Sequence, residues 1–263
     1  MMTENQIEII SPRQPHAFLE SWYELSDESH FWFKWRCAAL LRQLHDLNFP
    51  LGEKLKVLDV GCGTGVLRSQ LEEATAWTVD ATDLDYDALR QMRPGRGRIL
   101  YYDILEESQE LKESYDVVLL FDVLEHIEQT QPFVKSLLSH LKVGGFLLVN
   151  VPALQFLHSR YDEIAGHVRR YNLETLQDGL RGFDIAVKDI RYWGLANVPL
   201  LLLRKLWLSL STDKKTEDVI QQGFEPPSPW VNKLLLTLMK LELELTRRPL
   251  LGSSVLMVGQ KQR

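Results

Sequence analysis

The sequence predicts a doubly wound α/β fold: a seven-stranded, mostly parallel sheet with helices on both faces and a helical insertion before the last strand. Three observations carry this. Short apolar runs alternate with segments of helical period from residue 51 to 192, one strand-to-helix turn holds three glycines at alternate positions, and a last short strand follows a long stretch of different character.

The first strand, Val57-Leu58-Asp59-Val60, opens into Gly61-Cys62-Gly63-Thr64-Gly65, and residues 66–74 then read as a helix. Residues 76–82 form a second strand that runs into Asp80, Asp83 and Asp85, followed by a helical stretch over 84–91. Residues 98–103 give a third strand and 114–121 a fourth. A helix over 131–141 is stopped by Gly144-Gly145, and 144–151 is the fifth strand. Residues 184–192 and 253–260 complete the set, the last strand running antiparallel. Upstream, 37–47 reads as a helix preceded by the aromatic run Phe31-Trp32-Phe33-Lys34-Trp35-Arg36.

About sixty residues before the last strand exceed what a minimal fold of this type needs. Residues 199–210 are apolar around most of a helix. Residues 230–246 place Val231, Leu234, Leu235, Leu238 and Leu245 opposite Lys233, Thr237, Lys240 and Glu244, so this helix is expected to bury that stripe. The intervening 211–228, with Lys214-Lys215 and Pro226-Pro227, reads as a loop. The expected organisation is a helical cap over residues 1–50, a core over 51–192 and 252–263, and an amphipathic insertion over 193–251 serving as lid, dimer contact or membrane contact.

Charge separates the same regions. The net charge is −6, yet residues 1–190 hold 19 basic and 30 acidic side chains while 191–263 hold 11 and 6. An acidic body argues against a nucleic-acid partner. A cationic, Leu-rich tail fits a peripheral membrane surface or solvated helix faces equally well. Two cysteines and no basic-then-apolar leader suggest a cytoplasmic setting, and the apolar run near 195–210 is broken by Arg204 and Lys205, too short to span a bilayer.

The glycine turn is where chemistry enters. Glycines at 61, 63 and 65 permit positive φ and close approach of a nucleotide-like ligand, but their spacing departs from the Gly-x-Gly-x-x-Gly of dinucleotide sites, with Val66 at the last position. A carboxylate at Asp59 would repel a pyrophosphate and attract an ammonium or sulfonium cation. Residues 54–152 thereby resemble the class I S-adenosylmethionine-dependent methyltransferases, a family with a Rossmann-like core.

That resemblance implies S-adenosyl-L-methionine as cofactor. Asp59 and the Gly61, Cys62, Gly63 and Gly65 backbone would surround its methionine part. Asp83, with Leu84 beside it and Asp85 as the fallback, would accept from the ribose hydroxyls, and Asp103 from the adenine amino group, with Ile104 on the ring. Phe121 and Asp122 would line the mouth. The aromatic-aromatic-x-x-Arg run resembles a segment that closes over the cofactor in some small-molecule methyltransferases, and Arg36 would pair with the methionyl carboxylate. Asp103 as a helix cap and the aromatics as core residues are the structural alternatives.

For the methyl acceptor, the candidates are His126, His167 and Tyr171, since both Asp122-Val-Leu-Glu125-His126 and Gly166-His167-Val-Arg169-Arg170-Tyr171 follow strand ends. Arg169 and Arg170 suit an anionic acceptor group or a surface ion-pair cluster. Asp122, Glu125, His126 and His167 have the ligand types for a divalent cation, but three crowd one short segment, and no metal is assigned. The resulting expectation is O-methylation of a small or amphiphilic acceptor, quinone-like, lipid-linked or glycan-related, with carbon and nitrogen acceptors left open. A nicotinamide-dependent oxidoreductase and a non-catalytic membrane or scaffold protein on the same fold remain as alternatives.

Overall fold

The computed structural model describes residues 6–13, 30–210 and 228–263. Eight strands form one sheet: β1 (Ile7–Ile9), β2 (Lys56–Val60), β3 (Thr78–Asp83), β4 (Ile99–Tyr101), β5 (Tyr115–Phe121), β6 (Leu141–Pro152), β7 (Ile185–Trp193) and β8 (Ser254–Lys261). Their order is β1-β4-β3-β2-β5-β6-β8-β7, with only β8 antiparallel to its neighbours. The order reverses at β2, so the loops leaving β2 and β5 diverge and leave a crevice at the carboxyl ends of the strands.

Helices α1 (Phe31–Asp46), α2 (Val66–Ala74), α3 (Tyr86–Arg90), α4 (Thr130–Ser139), α5 (Arg160–Ile164), α6 (Leu173–Gly179), α7 (Val198–Leu210) and α8 (Pro229–Leu245) accompany the sheet. Two buried clusters sit against it: one joins Leu58, Leu120, Val149 and Met257 to α4, the other joins Val57, Leu119, Leu148 and Val258 to α1 and Trp77. Burial on both sides explains why residues 117–121 of β5 and 147–149 of β6 read as apolar runs.

Four expectations change. The sheet has an eighth strand, because Ile7–Ile9 pairs with β4 at the edge instead of joining a helical cap; three residues are too few to show a period. Helix α1 begins at Phe31, not at residue 37, because His30 caps it by accepting from the Trp32 amide at 3.1 Å. The fifth strand begins at Leu141, and Gly144-Gly145 lie inside it at a register shift against β5.

Helix α8 is the fourth. Its buried residues are Met239 and Glu242, with Val231 and Leu235 half-buried, while Leu234, Leu238 and Leu245 of the expected inward stripe are exposed. The helix sits on α1, where Asn232 accepts from the Phe31 amide at 3.0 Å. Glu242 accepts from the amides of Gly194, Leu195 and Ala196 at 2.8, 3.0 and 2.7 Å, fixing the chain that leads from β7 into α7. The loop expected over 211–228 lies outside the described residues except for Ser228.

Candidate active site

One cavity of about 710 Å³ opens at the carboxyl ends of β2 to β6. Its first end is built by the turn after β2. Gly61, Gly63 and Gly65 have φ of 70°, 54° and 75°, and a Cβ at Gly61 would strike Val123, so this backbone shape needs glycine. Gly61 and Gly63 face the cavity. Cys62 and Gly65 support the turn from behind: Cys62 packs toward Leu89 and Tyr101, burial pushes its thiol well above the usual range, and Gly65 caps α2.

Asp83 at the end of β3 lines the cavity with Leu84, and its two oxygens accept from the amides of Gly63 and Asp85 at 2.8 and 2.9 Å. A carboxylate at this position is an acceptor of the kind a ligand's hydroxyls need. Asp103 and Ile104 line the next stretch of wall. Asp103 also caps the turn that follows it, accepting from the Leu105 amide at 2.9 Å, so the cap and a cavity-facing position coexist.

Asp59 is buried beneath this end and is not among the wall residues. Its Oδ2 has no hydrogen-bond partner, and burial, reinforced by Asp83 and opposed by Arg36, lifts its carboxyl to about 7. Arg36 does face the cavity. One nitrogen pairs with Asp122 at 2.5 Å while its buried Nε is unpartnered. Asp122 has the positive φ of 57° uncommon outside glycine, and it also accepts from Asn150 at 2.6 Å, whose own oxygen accepts from Trp193 at 2.8 Å. A polar relay thus ties α1, β6 and β7 to the cavity mouth. Phe121 does not line that mouth; it is core, with the Arg36 guanidinium 5.8 Å from its ring.

The second end holds Glu125, His126 and His167. The two imidazoles meet edge to face with centroids 4.8 Å apart, and His167 Nε2 lies 3.9 Å from Glu125. His167 Nδ1 donates to Asp162 at 3.1 Å, and Asp162 is further held by Arg170 at 2.7 Å and by the Ser159 amide. Burial works against the Asp162 charge, but the His167 hydrogen bond and Arg170 hold its carboxyl well below the usual range. Burial, assisted by His167, brings His126 down to about 4, and burial together with Asp122 pushes Glu125 well up.

Tyr171, expected at this end, stands behind it: buried in the core, it donates to the Leu124 carbonyl at 3.2 Å and braces the turn that carries Glu125 and His126. Of the arginine pair, Arg170 lines the cavity, whereas Arg169 reaches out to Glu128 and Thr130. Sequence reading missed Tyr161, Asn197, Leu200 and Leu201 as wall residues. Arg204 also faces the cavity, its guanidinium 3.8 Å over the Tyr161 ring. The apolar run containing Leu200 and Leu201 was the available signal, but it does not say which side meets the cavity.

A family model described as a methyltransferase domain matches residues 18–189. Over 100 residues the chain is 30% identical to the "Ubiquinone biosynthesis O-methyltransferase" of Rickettsia canadensis, a stretch covering 37% of this chain and 42% of that one. Among solved structures, phosphoethanolamine N-methyltransferase 2 of Haemonchus contortus in complex with S-adenosyl-L-methionine superposes with a TM-score of 0.52 at 19% identity, covering 87% of this chain and 52% of that one. The [4+2]-cyclase SpnF superposes at 0.55 and 16%, covering 85% and 80%. At those identities the structures share the fold.

Proposed function

The chain belongs to the methyltransferase-domain family, and from that premise we propose that it transfers a methyl group from S-adenosyl-L-methionine to an oxygen of a small amphiphilic, quinone-like acceptor. The observation that carries this is the single cavity joining Gly61, Gly63, Asp83 and Asp103 at one end to His126 and His167 at the other. The first end fits the cofactor on its own terms. Asp83 offers carboxylate oxygens to a ligand's vicinal hydroxyls, and Arg36, on the cavity wall, offers a guanidinium to a carboxylate such as the methionyl group's, with Asp59 buried behind them. Bound there, the cofactor supplies an electrophilic methyl on a cationic sulfur.

Transfer then depends mainly on alignment. The acceptor ring lies between the glycine turn and the roof of Leu200 and Leu201, its hydroxyl toward the His126, His167 and Glu125 cluster. The ubiquinone-pathway relative supports a quinone-like acceptor, and the apolar roof suits one. A nicotinamide reading is abandoned: the family match leaves it nothing to explain. Labelled methyl transfer to hydroxylated benzoquinol analogues, with S-adenosylhomocysteine released in equal amount, is the test. Binding of NADH more tightly than S-adenosylhomocysteine would overturn the reading.

We further propose that α7 and α8 rest on a membrane surface. Leu203, Leu206, Trp207 and Leu210 of α7 and Trp230, Leu234, Leu238, Leu241 and Leu245 of α8 are exposed. No helix among the described residues is long and apolar enough to cross a bilayer. Changing Leu203, Leu206 and Trp207 together to serine should abolish sedimentation with anionic vesicles while leaving cofactor affinity intact; retained sedimentation refutes the contact.

A further inference from the structure

We propose that Arg204 of α7 recognises an oxyanion, a carboxylate or a phosphate, carried by the methyl acceptor, and so selects acidic acceptors over neutral ones. This deepens the methyl-transfer reading and rests on it.

Arg204 follows Leu200 and Leu201 by about one helical turn and lines the cavity with them, although Leu203, Leu206 and Trp207 on the outer face of α7 are exposed. Its neighbour Lys205 provides the contrast, donating to the Phe156 carbonyl at 2.6 Å on the exposed side. The Arg204 guanidinium lies 3.8 Å over the Tyr161 ring of α5, and its buried Nε has no hydrogen-bond partner. Stacking on Tyr161 fixes the plane of the fork, and the unpartnered Nε lies on the edge that a carboxylate or phosphate engages.

Charge on this wall does not balance. The acid whose field reaches Arg204 is Asp162, and both its oxygens are already engaged. Oδ1 accepts from His167 Nδ1 and Arg170 Nε at 3.1 and 2.7 Å, and Oδ2 from the Ser159 amide and hydroxyl at 2.9 and 3.1 Å. Asp162 therefore offsets Arg170, while burial drives His126 and Glu125 toward their uncharged forms. Among the described residues no acid forms an ion pair with Arg204. Burial, assisted by Arg170, pushes its guanidinium below the ordinary range, yet an arginine stays protonated at neutral pH. A desolvated cation of this kind is stabilised when a ligand brings the missing anion. An acceptor lying under Leu200 and Leu201 has this guanidinium beside it. Arg169, the other arginine considered for an anionic group, reaches away to Glu128 and Thr130.

The test is calorimetric titration of the protein saturated with S-adenosylhomocysteine, using 4-hydroxyphenylacetate, its neutral methyl ester and 4-hydroxyphenyl phosphate, with S-adenosylhomocysteine affinity measured in parallel. At least one of the two acids should bind about 10- to 100-fold more tightly than the ester, and the tighter one identifies the oxyanion. Arg204→Leu should erase that preference, and Arg204→Lys should keep part of it, since the charge stays while the planar fork is lost. Arg169→Leu should leave it unchanged. Unaltered S-adenosylhomocysteine affinity certifies that each variant folds. Equal binding of acids and ester, or no binding of either acid, overturns the proposal. A preference that survives Arg204→Leu also overturns it and reduces Arg204 to a clasp between α7 and α5. Failure of the unaltered protein to bind S-adenosylhomocysteine overturns the methyl-transfer reading beneath it.

Discussion

The two ends of the cavity are built in opposite ways. The glycine-turn end uses residues at the tips of neighbouring strands, each placed by its own strand and by backbone amides around it, as Asp83 is by Gly63 and Asp85 and Asp103 by Leu105. The histidine end assembles the turn after β5, the segment after α5 and the start of α7, held by long-range contacts such as Tyr171 to Leu124 and Glu242 to the amides of 194–196. A site made from strand tips inherits the rigidity of the sheet. One made from converging loops depends on the packing of everything around it, and can vary without disturbing the first.

If that contrast is right, the largest stability loss should come from the histidine end's scaffold. Glu242→Ala leaves three amides without their acceptor and should cost about 3 to 5 kcal/mol, read by denaturant unfolding. A loss under about 1 kcal/mol would mean that α8 does not secure α7. At the other end, Asp83→Ala should weaken S-adenosylhomocysteine about 100-fold, since two charge-assisted hydrogen bonds are worth roughly 3 kcal/mol together. Near-normal affinity in calorimetry would detach Asp83 from the ribose.

Asp59 sharpens the comparison through pH. Its folded carboxyl sits at about 7 against about 4 in the unfolded chain, so between those values the folded protein holds the extra proton and the stability of the cofactor-free protein falls as pH rises. A cation bound beside it favours the ionised form. Cofactor affinity should therefore rise up to about tenfold per unit as pH climbs from about 5 to 7 and level off above. Asp59→Asn should flatten the profile; a wild-type profile already flat would remove Asp59 from the cation's surroundings. The smallest effect is expected from Tyr171→Phe, about 1 kcal/mol of stability with turnover largely kept, because the hydroxyl braces a turn instead of touching the acceptor. A loss of turnover beyond about 100-fold at unchanged stability would restore Tyr171 to the chemistry.

Legibility in the sequence follows the same division. The helix over 66–74 and the strand ends at Val60, Asp83 and Phe121 match the expected elements closely, because apolar runs and glycines mark them locally. The start of β6 was misplaced because Gly144-Gly145 resembles a helix stop and serves here as a strand irregularity. Helix α8 carries apolar residues on more than one face, and hydropathy cannot say which face meets α1.

By itself the sequence determined the alternation of strands and helices from the first glycine-turn strand to the strand ending at Phe121, the glycine turn and the acids that follow it, since each depends on residues within a few positions of one another. Only the tertiary structure decided that Glu125, His126 and His167 converge, that Tyr171 turns away, and that Leu200 and Leu201 roof the cavity. Those outcomes depend on how separate segments pack, and no local period or spacing encodes which side chains then share one space.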